Sequence, residues 1–117
     1  LLERIIHIAS NPGDLVVDIF GGSGTTATAA HKMRRRWILA ERNAQTVLDF
    51  VVPRLERVIA GTDDGGITST VSWKGGGEYE TVHVSPRFGS LTPPHRAGAV
   101  KKRLAARAKA SGLRAVV

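Results

Sequence analysis

Leu15-Val16-Val17-Asp18-Ile19-Phe20-Gly21-Gly22-Ser23-Gly24-Thr25-Thr26 is the stretch that decides the fold. Its first half is a compact, mostly β-branched apolar run of the kind buried on both faces of a parallel sheet, which predicts a strand over residues 15–20. Its second half turns on glycines at once. The following segment, Thr25 to Met33, is rich in Ala, which suits a helix packed closely on a sheet. Strand, glycine turn and helix together bring backbone N–H groups and the positive end of a helix dipole to the C-terminal edge of a sheet, where nucleotide-like ligands bind.

Upstream, Leu1, Leu2, Ile5, Ile6 and Ile8 recur at helical spacing, and Asn11-Pro12-Gly13 ends that helix. Downstream, Arg36 to Glu41 reads as a second strand. Asn43 can cap a helix whose buried side carries Val47, Phe50, Val51, Leu55, Val58 and Ile59, with a kink at Pro53. Gly61 to Gly66 is a turn-rich connector. Ile67 to Trp73 and Tyr79 to Val84 alternate like strands around Gly75-Gly76-Gly77, which predicts a hairpin.

The net charge of +7 is unevenly placed. Residues 1–85 hold 9 Lys/Arg against 10 Asp/Glu, whereas residues 86–117 hold 8 Lys/Arg and no acid. Large apolar residues thin out from Ser85 onward, and Pro86, Pro93 and Pro94 interrupt the chain. Two regions follow: a folded part over residues 1–84 and a basic tail over 85–117 that is expected to be disordered. With no cysteine there is no disulfide or thiolate metal site, and no apolar run reaches the roughly 20 residues that span a bilayer. A cytoplasmic protein without a membrane partner is expected. The start at Leu1, with no basic segment before it, reads as a cut rather than a signal peptide.

Gly22, Gly24 and Ala27 fit the G-x-G-x-x-G/A pattern, and Glu41 closes the second strand 17 residues after Gly24, near the offset of an acid that grips ribose hydroxyls. The glycines alone could do no more than permit a tight turn. A preceding strand, a following helix and an acid at the next strand end outweigh that reading. A dinucleotide-binding oxidoreductase fragment using NAD is the sharper rival. Asp18 counts against it, because a carboxylate three residues before the glycines repels a pyrophosphate and attracts a cationic ligand. S-adenosylmethionine carries an ammonium and a sulfonium and no phosphate.

The nine residues Asp18-Ile19-Phe20-Gly21-Gly22-Ser23-Gly24-Thr25-Thr26 closely resemble the D-x-F-x-G-S-G-T-T motif of DNA amino-methyltransferases whose catalytic motif precedes the cofactor motif. The resemblance extends through Leu1 to Ile6, Ala30 to Met33, Arg35 to Ile38, Glu41, Pro53 to Leu55 and Gly65 to Ile67, and covers roughly the first two-thirds of the chain. Within this group the chain looks most like the modification subunit of type III restriction systems, which methylate adenine in DNA. The resemblance implies an α/β fold, part of a Rossmann-like S-adenosylmethionine-dependent methyltransferase. It also implies that Asp18 and Phe20 line the methionine side of the cofactor and that Gly22 to Thr25 form the floor. Glu41 would hold the ribose, and Gly21 and Thr26 complete the set. DNA, a missing N-terminal half and a restriction subunit are the implied partners. Gly21 stands where the family often has Ala, and Arg34 stands where a helix-ending Gly is usual, at a cost of about 1 kcal/mol.

The family's Asp/Asn-Pro-Pro-Tyr segment, which orients the target amine, is absent from the chain, so no catalytic residue is assigned. Thr92-Pro93-Pro94-His95 replaces both informative positions and reads as a proline turn. His7, His31, His83 and His95 lack the spacing of a metal site and read as surface or helix histidines. Trp37 is expected in the core. Arg34-Arg35-Arg36 reads as a helix-end charge run that complements the dipole before it reads as a phosphate contact. A rival of another class is a small non-enzymatic nucleic-acid-binding module in which the tail supplies phosphate contacts.

Overall fold

The computed structural model describes residues 1–84. Helix α1 spans Leu2–Ala9, strand β1 Leu15–Asp18, helix α2 Thr25–Lys32 and strand β2 Arg36–Leu39. A short helix α3 (Ala44–Thr46) runs through a π-helical turn (Val47–Val51) into α4 (Val52–Ala60). The strands are parallel, in the register Leu15↔Arg36 to Asp18↔Leu39. The ladder continues one step past the strands, since Ala40 N–H donates to Asp18 O at 2.8 Å and Gly21 N–H donates to Ala40 O at 2.8 Å. The glycine turn is thereby tied to the end of both strands.

The unit β1–turn–α2–β2 is the one expected from the sequence. Ala27, Ala29 and Ala30 lie buried against Trp37 and Leu39, because small side chains let the helix approach the sheet closely. Val51, Leu55 and Val58 close the core from the side of α4, and Trp37 is buried as expected. Among the described residues the sheet has two strands, and α2 covers the face that carries Val16, Trp37 and Leu39. Leu15, Val17, Ile19 and Ile38 on the opposite face are exposed, so β1 is buried on one face and not on both as its composition implied. Among the described residues, no helix is long and apolar enough to cross a membrane.

Two further expectations are corrected. The hairpin is absent. Ile67 to Ser72 forms successive turns, with Val71 N–H on Ile67 O at 3.1 Å and Trp73 N–H on Thr68 O at 3.0 Å, and Tyr79 to Val84 contains a single bridge residue rather than a strand. Gly75-Gly76-Gly77 serves close approach instead. Gly76 N–H donates to Ile59 O at 2.8 Å, and a Cβ at Gly77 would lie 2.6 Å from the His31 ring. The helix after Asn43 is interrupted by its π turn, with Val52 N–H bonded to Val47 O. Pro53, which has no N–H, follows this π turn directly. The extra residue of the π turn shifts the helical phase, which leaves Phe50 exposed although its spacing placed it inside. The basic tail of residues 85–117, with Thr92 to His95, lies outside the described residues.

Candidate cofactor site

The site is built on the turn between β1 and α2. Asp18 ends the strand, half-buried, and its Oδ1 accepts the N–H of Phe20 at 3.0 Å, which fixes the carboxylate over the first residues of the turn. Phe20 is 85 % exposed and Ile19 65 % exposed. An aromatic ring standing in solvent beside a glycine turn has no packing role among the described residues, and it offers a surface for a ligand. Gly21 is buried where a Cβ would lie 2.6 Å from Leu39 Cγ, so even Ala at this position would press into the core.

Gly22 and Gly24 adopt φ of +50° and +79°, conformations that other residues enter only at a cost. Gly24 is the N-cap of α2, and a Cβ there would lie 3.2 Å from Val51 Cγ1. Both glycines therefore serve the left-handed turn, and Gly24 also serves its close approach to the π turn. Ser23 and Thr25 are exposed, with their hydroxyls 3.2 Å apart, while Thr26 is half-buried in the first turn of α2.

Glu41 reaches this turn from the end of β2. Its Oε2 accepts the N–H of Gly22 at 2.8 Å and its Oε1 accepts the N–H of Asn43 at 2.8 Å. The backbone N–H groups of Asn43 and then Gly22 hold its carboxyl below the ordinary carboxylate value. A carboxylate has about four lone-pair sites, so these two bonds leave acceptor capacity on each oxygen. Asn43 in turn caps the following helix as expected, accepting from Gln45 N–H at 2.9 Å. The structure thus brings Asp18, Phe20, Gly21, Gly22, Ser23, Gly24, Thr25, Thr26 and Glu41 around one turn.

Arg54 belongs to the same region and was not assigned from the sequence. From the first turn of α4 its Nη1 lies 3.0 Å from Ser23 O, 3.2 Å from Ser23 Oγ and 2.8 Å from Thr25 Oγ1. The spacing Val51-Arg54 is one helical turn, and both residues meet the glycine turn, a relation that was available in the sequence once Val51 was assigned to the core.

The far end of α2 is different. His31, read from the sequence as an ordinary surface or helix histidine, is buried, and its Nδ1 accepts the Trp37 Nε1–H at 3.2 Å. That leaves Nε2 as the donor to Gly76 O at 2.9 Å in a neutral ring, and burial lowers its pKa. The ring also stands edge-on to Trp37 and Trp73. Lys32 is buried and donates to Asp63 Oδ2, to Gly65 O at 2.9 Å and to Thr68 Oγ1. Arg35 is buried, with bonds to Met33 O and Ser10 O at 2.7 Å each, so the centre of the arginine run caps carbonyls at two helix ends. These groups hold the fold together.

Residues 1–51 match the model of a DNA methylase family. Over 86 residues, 74% of the chain, the sequence is 44% identical to the probable type III restriction-modification enzyme HindVI Mod subunit of Haemophilus influenzae, of which it covers 11%. It is 52% identical over 58 residues, 48% of the chain, to the type II methyltransferase M1.MboII of Moraxella bovis, covering 22% of that protein. With the type II methyltransferase M.BamHI of Bacillus amyloliquefaciens it shares 53% identity over 38 residues, 32% of the chain and 9% of the relative. The chain thus spans less than a quarter of the length of these curated relatives. No solved structure matches it. The sequence resembles DNA amino-methyltransferases, and among them the modification subunit of type III restriction systems, as its glycine motif implied.

Proposed function

We propose that this chain is the S-adenosylmethionine-binding part of a site-specific DNA methyltransferase which, when complete, transfers a methyl group to the exocyclic amine of adenine in DNA in the cytoplasm. The observation that carries this reading is the convergence of two carboxylates, Asp18 and Glu41, on one exposed glycine turn beside an unpacked Phe20. The donor set suits that cofactor. Asp18 attracts an ammonium or sulfonium, Glu41 has lone pairs left for ribose hydroxyls, and Phe20 offers an apolar surface. When bound, S-adenosylmethionine supplies an electrophilic methyl group. The residues of this chain bind and orient it, and none of them is assigned to activating the amine. Adenine is preferred as the target because the likeness to the Mod subunit spans the most residues of the relatives described.

The chain contains no Asp/Asn-Pro-Pro-Tyr segment to position the amine. Positioning of reactants is worth about 7–11 kcal/mol of barrier, so the chain alone is expected to give no detectable methyl transfer. Two measurements test the reading. Calorimetry should show S-adenosylmethionine binding more tightly than NAD, and the reverse order would move the chain to the oxidoreductases. Transfer of labelled methyl groups to adenine-containing DNA should require a separately expressed N-terminal half that carries the Pro-Pro segment and should fail with the chain alone. A restriction subunit is the expected further partner of the assembled enzyme.

A further inference from the structure

We propose that Arg54 is a positioning residue of the cofactor turn, a clamp that holds Ser23 to Thr25 in the conformation that receives the ligand; this rests on the proposed cofactor reading. Nη1 has two N–H groups and faces three oxygens of the turn, so at least one N–H is shared between acceptors. A main-chain carbonyl and two hydroxyls are engaged by one rigid group. That fixes the backbone of Ser23 and the rotamers of both side chains together.

The usual reasons for an arginine at this place are missing. Among the described residues Arg54 has no carboxylate within ion-pair distance, the one ion pair being Lys32 with Asp63. It lies inside the continuous helical run from Ala44 to Ala60, away from either end, so no interaction with a helix terminus accounts for its charge. It is only partly buried, so it does not fill the core. The turn itself explains the placement. Gly22 and Gly24, both at positive φ, are conformationally permissive, and Ser23 between them is exposed. Glu41 fastens the turn at Gly22 and Val51 packs at Gly24. Arg54 restrains the remaining outer part, Ser23 and Thr25. Val51 and Arg54, one helical turn apart, both meet the loop.

The test uses the full 117-residue chain and the variants Arg54→Met, which keeps the aliphatic stem, and Arg54→Lys. Amide hydrogen exchange of Gly22 to Thr25 should quicken by about ten-fold in Arg54→Met without ligand, with α1 and β1 unchanged. The dissociation constant for S-adenosylmethionine should rise by a similar factor, and Arg54→Lys should recover part of both effects. Thr25→Val should show the same exchange change and should add little to Arg54→Met, as expected for two ends of one contact. Unchanged exchange in the turn overturns the proposal, and so does faster exchange spread over the whole molecule, which would make Arg54 a support of the fold. Faster turn exchange with unaltered affinity also overturns it. If the unaltered chain binds no S-adenosylmethionine, the cofactor reading fails, while the exchange comparison still decides whether Arg54 clamps the turn.

Discussion

Helix α2 joins two regions built on opposite terms. At its C-terminal end His31, Lys32 and nearby Arg35 are all buried, 4 %, 5 % and 5 % exposed, and each has its polar groups bonded inside the molecule. At its N-terminal end Phe20, Ser23 and Thr25 stand in solvent, and the carboxylates of Asp18 and Glu41 retain acceptor capacity. Charged and aromatic residues are denser at the first end, yet their chemistry is used up by the fold. The second end is less charged and open. A cluster of titratable side chains therefore marks a functional site only when its hydrogen bonds remain to be made.

The largest effect tests the closed end. Lys32→Ala removes the partner of Asp63 and the donor to Gly65 O and Thr68, so the 63–68 turns lose their attachment to α2. Breaking a buried pair from one side costs about 3 kcal/mol, a large part of a small domain's stability. A loss of that size in the free energy of urea unfolding, with S-adenosylmethionine affinity unchanged where the variant is folded, is the expected result. Lost affinity without lost stability would erase the distinction between the two ends.

The open end should respond in the opposite sense. Glu41→Ala should weaken S-adenosylmethionine binding by roughly 10- to 100-fold, with a loss of stability smaller than that of Lys32→Ala, read by calorimetry and by a melt. The pH dependence has a definite sign. Because backbone N–H groups hold the folded-state pKa of Glu41 below its ordinary value, the contribution of the carboxylate to stability is present above the unfolded value of 4.5 and is lost as pH falls through the lower folded value, and the folded protein carries Glu41 ionised above that. Binding should consequently show no Glu41 step between pH 5 and 8. A step there that disappears in Glu41→Gln would contradict the bonding to Gly22 and Asn43.

His31 gives a finer test of the closed end. Its neutral ring accepts from Trp37 and donates to Gly76, so a proton added to Nδ1 would face the indole N–H. Burial lowers the folded-state pKa, so the unfolded chain takes up the proton first. The contribution of His31 is therefore complete above the unfolded value of 6.5 and declines as pH falls from there toward the lower folded value. Thermal midpoints between pH 7.5 and 5 should fall in the parent chain and fall less in His31→Phe. An equal decline in both would assign the acid sensitivity to other groups.

What the sequence made legible were features governed by local chemistry. The β1–turn–α2–β2 unit and the Asn43 cap each follow from a few neighbouring residues, while the left-handed position of Arg34 was implied by the family resemblance. The apolar alternation of Ile67 to Trp73 misled because it is shared by strands and by turns that pack residues on a helix. Its glycines answer to Ile59 and His31, far away in the chain. Arg35 read as the centre of a helix-end charge run and Lys32 drew no reading of its own, because their partners, Ser10 and Asp63, are 25 and 31 residues distant. Arg54 went unassigned because its contacts with Ser23 and Thr25 join positions 31 and 29 residues apart. For the site, the glycine motif and Glu41 were readable as a set, whereas the bonds of Glu41 to Gly22 and Asn43 required the fold.

The smallest expected effect is a gain. Arg34 follows α2 at φ +62°, with its N–H on His31 O at 2.9 Å and its carbonyl accepting from Gly13 N–H at 2.9 Å. A left-handed conformation costs a residue with a Cβ about 1–2 kcal/mol, and glycine gives back about 0.5–1 kcal/mol through its more mobile unfolded chain. Arg34→Gly should therefore raise stability by roughly 0.5–1 kcal/mol, a few degrees in the melting midpoint of a domain this size. It should leave S-adenosylmethionine affinity where it was, since Arg34 lies at the end of α2 away from the glycine turn. Arg34→Ala separates backbone from charge, because it removes the guanidinium from the Arg34 to Arg36 run yet keeps the Cβ. If Ala stabilises as much as Gly, the gain comes from relieving charge repulsion and the left-handed backbone contributes nothing. If only Gly stabilises, the helix end carries strain that the fold tolerates for the sake of the turn into β2.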